Sequence, residues 1–356
     1  MNKGLRTAII LLLIVVAGGY LYTIFRPAVT VESEDTAHPE FGFKANLATK
    51  YGDIIPIMFE VKGKDVAKID LIFNDSTLNS WTNPSGKIVY DLDASFFGLG
   101  AKEIVLQSTM KNGNSYSDRR LVRILSDVAP EQLTAKIVKS YPQNTSSFTQ
   151  GLEFSGGTLY ESTGQRGESQ VMQMSLESGT ILNKIGLDAN YFGEGITILN
   201  DKIYQITWTE QKCFIYDKAT LQLQNDLSYT GQGWGLCNDG ESIIMSDGSE
   251  RIVFRNPETF QIERSIEVYD HVGPRTQLNE LEYIDGKIYA NVWMLDLVLI
   301  IDPMSGKVLA EIDGSEISKA GKGTGDVMNG IAYNPASKKL YFTGKKWPKL
   351  FEVTVQ

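Results

Sequence analysis

Glu194 stands between two glycines in the stretch Phe192-Gly193-Glu194-Gly195-Ile196-Thr197. A carboxylate so placed can approach a substrate closely, because the flanking glycines add no bulk of their own. The chemistry it would offer is proton transfer. Four other segments carry a polar or aromatic residue at the same place, namely Gln150, Trp234, Asn279 and Asn329. One strand further along lie Glu161, Trp208, Asp247, Trp293 and Lys345. Four of the chain's tryptophans, Trp208, Trp234, Trp293 and Trp347, fall at or near these places, and aromatic walls with a few polar groups are what a small binding pocket requires. Each residue also has a plain structural reading. Tryptophans pack between sheets, and the amides of Gln150, Asn279 and Asn329 can hold loop backbone. The pattern alone gives a pocket and stops short of a reaction.

These positions correspond because the segments repeat. Phe192 to Trp208 reads as two alternating runs, Gly195 to Leu199 and Lys202 to Trp208, around an Asn200-Asp201 turn, which is how a tight β-hairpin is written. The unit returns at Thr149 to Ser162, Gly233 to Ser246, Asn279 to Trp293 and Met328 to Lys345. Aligned on Gly151, Gly195, Gly235, Glu280 and Gly330, successive copies are 44, 40, 45 and 50 residues apart, in the range of four-stranded propeller blades. A third run follows every hairpin, as at Cys213 to Asp217 and Leu297 to Asp302, and a fourth follows all but the last. The missing run has a counterpart at the front, Ala135 to Tyr141. The pattern predicts an all-β fold in which this N-terminal strand completes the last blade of a five-bladed β-propeller spanning residues 134–356, so that no sheet edge is left open. The alternative is an open solenoid or sandwich.

Ahead of the repeats the chain changes character. Lys3 and Arg6 precede an uncharged span from Thr7 to Phe25, closed by Arg26-Pro27. Its length in a helix, at about 1.5 Å per residue, nearly covers a hydrocarbon core of about 30 Å. Residues 1–27 are therefore expected to be one transmembrane helix acting as a membrane anchor, with a cleaved secretory signal as the alternative. The basic flank places the N-terminus in the cytoplasm and the rest outside it, periplasmic or at the cell surface. Residues 28–126 show no copy of the repeat. Alternating runs such as Ile54 to Val61, Ala67 to Phe73 and Glu103 to Ser108 predict a small immunoglobulin-like β-sandwich, serving as spacer or docking module. Residues 127–133, with Pro130, are the expected linker.

Composition removes several function classes. Lys and Arg number 34 against 43 Asp and Glu, a net charge of −9, which argues against a nucleic-acid partner. Two histidines, His38 and His271, cannot make a histidine-rich zinc site, and Cys213 and Cys237 are not spaced as a metal pair. Both cysteines read as small buried strand residues in preference to a disulfide. No metal or other cofactor is expected.

The motifs FTQGLEF at Phe148, LYESTG at Leu159, FGEGIT at Phe192, GWGLC at Gly233, LNELEY at Leu278, MNGIAY at Met328 and TGKKWPKLFEV at Thr343 occur in an order that resembles the plant and bacterial type of glutaminyl-peptide cyclotransferase, or glutamine cyclotransferase. The resemblance covers residues 136–356 and leaves the anchor and the sandwich outside. It implies a five-bladed propeller and a metal-independent enzyme that converts the N-terminal glutamine of peptides or proteins to pyroglutamate with release of ammonia. It also implies Glu194 as catalytic glutamate, Gln150, Asn279 and Lys345 as its polar support, and Trp208, Trp234 and Trp293 as substrate-binding walls. In such a reaction the α-amine attacks the γ-carboxamide of its own residue, Glu194 shuttles the proton, and Asn279, Gln150 or Lys345 donates to the carboxamide oxygen. A non-enzymatic, surface-anchored propeller that binds peptide N-termini is the competing reading. A carbohydrate-binding propeller would use the aromatic walls but gives no reason for Glu194 and Lys345 together.

Overall fold

The alternation read from the sequence becomes strand almost throughout the computed structural model, which describes residues 38–43 and 47–356. Residues 39–356 form one compact unit. The anchor expected at residues 1–27 lies outside the described residues, and among those described no helix is long and apolar enough to cross a membrane.

The first part of the unit is a pair of sheets. Five strands run in the order Leu47–Lys50, Ser115–Leu125, Gly100–Met110, Val66–Phe73, Ser76–Thr82, and a second sheet pairs Ile54–Val61 with Gly86–Asp93. Alternate residues face a shared core, with Ile55, Ile57 and Phe59 from one sheet and Ile69, Leu71 and Ile104 from the other. Tyr269, far along the chain, is buried in this same core. The sheets are tied to the repeat region by Lys102 to Glu267 at 2.9 Å and Lys307 to Asp127 at 2.7 Å.

The repeats then build sheets of four. Thr149–Ser155, Thr158–Thr163, Gln170–Met174 and Ile181–Gly186 make one. Gly193–Leu199, Lys202–Thr207, Lys212–Asp217 and Leu223–Ser228 make the next, and Leu236–Asn238, Ile243–Ser246, Arg251–Arg255 and Ile262–Glu267 a third. The hairpin turn at Asn200 and Asp201 has φ of 52° and 59°, the left-handed pair that a type I′ turn demands. Cys213 and Cys237 are buried and unpaired.

The remaining strands join into one eight-stranded sheet. Leu278–Ile284, Lys287–Val292, Leu297–Ile301 and Val308–Asp313 lead to Glu131–Pro142, which leads on to Lys349–Val355, Lys339–Gly344 and Met328–Asn334. Ala135 to Pro142 pair antiparallel with Lys349–Val355, while Glu131 to Thr134 run parallel to Ala310 to Asp313. The strand thus begins inside the stretch 127–133 expected as a linker, because its first residues cover the open edge of Val308–Asp313. Among the described residues the result is an all-β, nearly closed, barrel-like arrangement with one short α-helix, Ser315–Gly321.

The first strands of these groups neighbour one another in cyclic order: Thr149–Ser155, Gly193–Leu199, Leu236–Asn238, Leu278–Ile284, Met328–Asn334, and back to the first. Glycines set how closely they approach. A Cβ at Gly151 would lie 2.5 Å from the backbone N of Ile196, one at Gly195 2.4 Å from that of Leu236, and one at Gly235 2.0 Å from the carbonyl of Asn279. Backbone cannot step aside as a side-chain tip can. Gly235→Ala is therefore expected to destabilise the fold by about 1–3 kcal/mol. Gly273→Ala, where a Cβ meets nothing within 4 Å, should stay within about 0.5 kcal/mol. Parallel urea unfolding of the two variants measures the contrast, and equal midpoints would show that the inner strands are not held apart by backbone contact alone.

Candidate active site

At the entry to four of the five first strands the ladder slips. In the pairing of Gly193–Leu199 with Lys202–Thr207 the register shifts between Gly193 and Ile196, leaving Glu194 and Gly195 unpaired. The same slip between Leu278 and Leu281 releases Asn279, and between Met328 and Ile331 releases Asn329. In the first sheet Ser162 opposes Gly151 and Thr163 opposes Thr149, so that Gln150 is skipped. A bulge re-aims the extra side chain out of the pleat. Trp234 holds the matching place in the third sheet, just before its first strand, with its backbone N–H donating to the Ser246 carbonyl at 3.0 Å.

The released side chains meet. A cavity of about 250 Å³ brings together Gln150, Glu194, Asn279 and Lys345, and its walls include Trp208, Trp234 and Trp293. Every site residue that the resemblance implies thus lines one space. Phe148, Phe192, Met294 and Asp326 line it too. None of these four stood out as a site residue beforehand, although Phe148 and Phe192 open two of the motifs.

Other candidates lie elsewhere. Asn329 donates to the Thr149 carbonyl at 3.0 Å and to Gln150 Oε1 at 3.3 Å, so it props the site from behind. Glu161 is buried and accepts from Thr149 at 2.6 Å and Ser147 at 3.2 Å, and burial raises its carboxyl to about 7 against those hydrogen bonds. Asp247 turns to its own loop, accepting from the Ser249 backbone at 2.9 Å. Trp347 is a core residue, fully buried, donating to the Asp326 carbonyl at 2.8 Å.

The aromatic walls are fixed by mutual contact. Phe148 meets Phe192 edge-on at 6.2 Å, Phe192 meets Trp208 at 5.8 Å, and Trp234 meets Trp293 at 5.6 Å and 87°. Gln232 joins two of the indoles, since its Oε1 accepts from Trp208 Nε1 at 2.9 Å and Trp234 Nε1 at 3.1 Å. No pattern around Gln232 announced this role. It is one polar residue in a turn until the hairpins place it between two tryptophans.

Electrostatics set the site apart. Glu194 is 5% and Lys345 4% exposed. Burial pushes the Glu194 carboxyl well above the ordinary glutamate range, while Lys345 pulls it back down and Glu210 pushes it further up. Burial likewise lowers the Lys345 ammonium, with Glu194 and Asp326 opposing that shift. The two feel each other's charge but form no direct ion pair among the described residues. Lys345 Nζ lies 4.8 Å from the Phe148 ring centre, a cation–π distance. Asn279 Oδ1 is buried with no hydrogen-bond partner, an acceptor waiting for an N–H. Gln150 has its oxygen engaged by Asn329, so its amide N–H₂ is what it can offer to a substrate. A site with one raised acid, one lowered amine and unmet amide groups can bind a polar, hydrogen-bonding group and move a proton on it.

The family model described as glutamine cyclotransferase matches residues 78–355, and so reaches into the front sheets, beyond the region where the motifs lie. A glutaminyl-peptide cyclotransferase of Arabidopsis thaliana is 36% identical over 228 residues, 62% of this chain and 71% of the relative. The crystal structure of Myxococcus xanthus glutaminyl cyclase superposes with a TM-score of 0.61 at 38% identity, covering 64% of this chain and 98% of that one. The bulged acid, its amides and its aromatic walls therefore sit in a chain that belongs to the glutamine cyclotransferase family.

Proposed function

We propose that the protein cyclises the N-terminal glutamine of peptides and proteins to pyroglutamate with release of ammonia. Family membership supports the activity, and the observation that carries its assignment to this site is the burial of Glu194 beside Lys345 in one aromatic-walled cavity. Nucleophile and electrophile belong to the same residue, so the site has chiefly to hold one rotamer and manage protons and charge. The α-amine, which titrates near about 7.7–8.0 when free, supplies enough neutral nitrogen for attack. Its nitrogen bonds to the γ-carboxamide carbon, Glu194 takes the proton released, and the carboxamide oxygen becomes anionic. Lys345 and the Gln150 amide donate to that oxygen. Glu194 then returns the proton to the carboxamide nitrogen as the carbon–nitrogen bond breaks and ammonia leaves. Asn279, with its oxygen unmet, accepts from a substrate N–H in this scheme in place of the donor role expected from the motif. Trp208, Trp234 and Trp293 line the side-chain slot and exclude water.

The same reading covers the rest of the chain. The strand groups of residues 134–356 are the blades of a five-bladed propeller, supported by the cyclic order of the first strands and by the strand Glu131–Pro142 that spans the seam. Residues 28–126 are an immunoglobulin-like spacer or docking module. The uncharged span from Thr7 to Phe25 anchors the protein in a membrane with the catalytic part outside the cytoplasm, as a periplasmic or cell-surface enzyme.

Mass spectrometry of a Gln-initiated peptide after incubation with the purified protein should show loss of one ammonia. An unchanged peptide would favour a propeller that only binds N-termini. Glu194→Gln should keep the fold and slow turnover by roughly 10² to 10⁴, and near-normal ammonia release by that variant removes Glu194 from the mechanism. The charge on Lys345 gives a second handle. Glu194 must be ionised to accept a proton, so kcat/KM falls on the acid side as the carboxyl protonates, above the ordinary value near about 4.3. Because Lys345 favours the ionised form, Lys345→Met should move that acid limb to higher pH. The substrate amine is common to both enzymes and cancels. A limb that stays in place or moves to lower pH would show that the two groups are not coupled.

A further inference from the structure

Arg255 closes the strand Arg251–Arg255 and is only 4% exposed. A guanidinium keeps its charge at any working pH, and buried charges are ordinarily paired. Arg255 has no carboxylate partner within ion-pair distance among the described residues. One of its N–H groups donates to the Phe260 carbonyl at 2.8 Å, and its Nε has no partner at all. The rings of Tyr229 and Phe260 lie 5.3 and 4.9 Å from its central carbon, a cation–π contribution that softens the burial without neutralising it. The neighbouring Cys213 supplies no anion, because burial pushes its thiol up.

Beside this arginine a cleft of about 300 Å³ opens, distinct from the cavity of Glu194. Its polar lining residues are Arg255, Ser228, Thr230 and Gln261, and no carboxylate lines it. That is unusual company for a cation in a chain of net charge −9. The other walls are Tyr229, Phe260 and Ile262, so the cleft offers one buried cation, neutral hydrogen-bonding groups and an apolar side. Guanidinium and carboxylate are planar partners that match in a bidentate pair. We infer that this cleft is a second binding site, taking an organic carboxylate with a short apolar body against Arg255.

The acid can come from a small free molecule or from the C-terminus of a peptide, and the two can be told apart. Isothermal titration of the protein with hexanoate and with the tripeptide Ala-Ala-Leu, each against its uncharged amide, should show saturable binding of the acids only. The tighter of the two names the source. Arg255→Gln should weaken binding by tenfold or more, because removing one partner of a buried charge pair is expensive. Thr230→Trp, at an exposed position on the cleft rim, leaves the arginine in place and fills the space, so binding should disappear while the circular dichroism spectrum is kept. This second variant carries the test if Arg255→Gln fails to fold. No saturable binding by the wild type, equal binding of acid and amide, or undiminished binding by Thr230→Trp would each overturn the inference.

Discussion

The close approach of the first strands is the constraint on which the site depends. Where Gly151, Gly195 and Gly235 face the backbone of the next strand, no side chain can be inserted without moving the main chain. The strands therefore crowd around a narrow axis, and any residue bulged out at their entry is driven toward the others. The fourth unit breaks the glycine pattern in an informative way. Glu280 stands in the glycine position, and its carboxylate accepts from the backbone N–H of Leu152 at 3.2 Å and of Ile331 at 2.8 Å. A side chain thus links two first strands at the place where Gly151, Gly195 and Gly235 bring backbone into close approach.

That architecture has an electrostatic consequence. Burial raises Glu194 and lowers Lys345, and their mutual attraction opposes both shifts. Two groups held in direct contact would settle as an ion pair, a poor proton shuttle. Lining one cavity without an ion pair, each keeps its shift from the ordinary value, Glu194 raised and Lys345 lowered, as the proposed proton shuttle requires. The arrangement costs stability in a definite direction. A carboxyl whose folded pKa lies above its unfolded value stabilises the fold fully below the unfolded pKa, and that contribution is lost as pH rises through the folded one. Glu161, raised by burial to about 7, follows the same sign, so the buried acids of this region weaken the fold toward alkaline pH.

Much of this was legible because the repeat carries it. The hairpin at Asn200-Asp201, the third and fourth runs of each unit and the strand pairing with Lys349–Val355 are all written as local patterns, and a pattern seen five times corrects its own ambiguities. The convergence of Gln150, Glu194, Asn279 and Lys345 was legible for the same reason, since equivalent places in a cyclic repeat meet in space. Equivalence did not decide the fate of individual side chains. Glu161 and Asp247 occupy the same place as Trp208 and Lys345, yet local hydrogen bonds from Thr149 and Ser249 draw them away from the cavity. Gln232, Asp326 and Met294 had no signal at all, because their roles depend on which loops lie opposite. The start of the strand at Glu131 was hidden by Pro130, a turn residue whose neighbours nonetheless find an open edge to cover.

The walls show why the site needs more than an acid. Trp208 and Trp293 are 36% and 38% exposed at the mouth of the cavity, and large side chains at a surface ordinarily keep some rotamer freedom. Here neighbouring contacts restrict that freedom. Gln232 accepts from both Trp208 and Trp234, while Trp293 stands edge-on to Trp234 and Phe192 edge-on to Trp208. An intramolecular cyclisation gains most from a slot that admits one conformer of its substrate, and a slot whose walls can rotate would return that gain as entropy. In the proposed reaction, indoles held in place before the substrate arrives would let binding free energy act on the glutamine side chain itself. In the proposed reaction the aromatic cage and the buried acid are thus two halves of one requirement: the first would select the rotamer that brings amine and carboxamide together, and the second would move the proton once they meet.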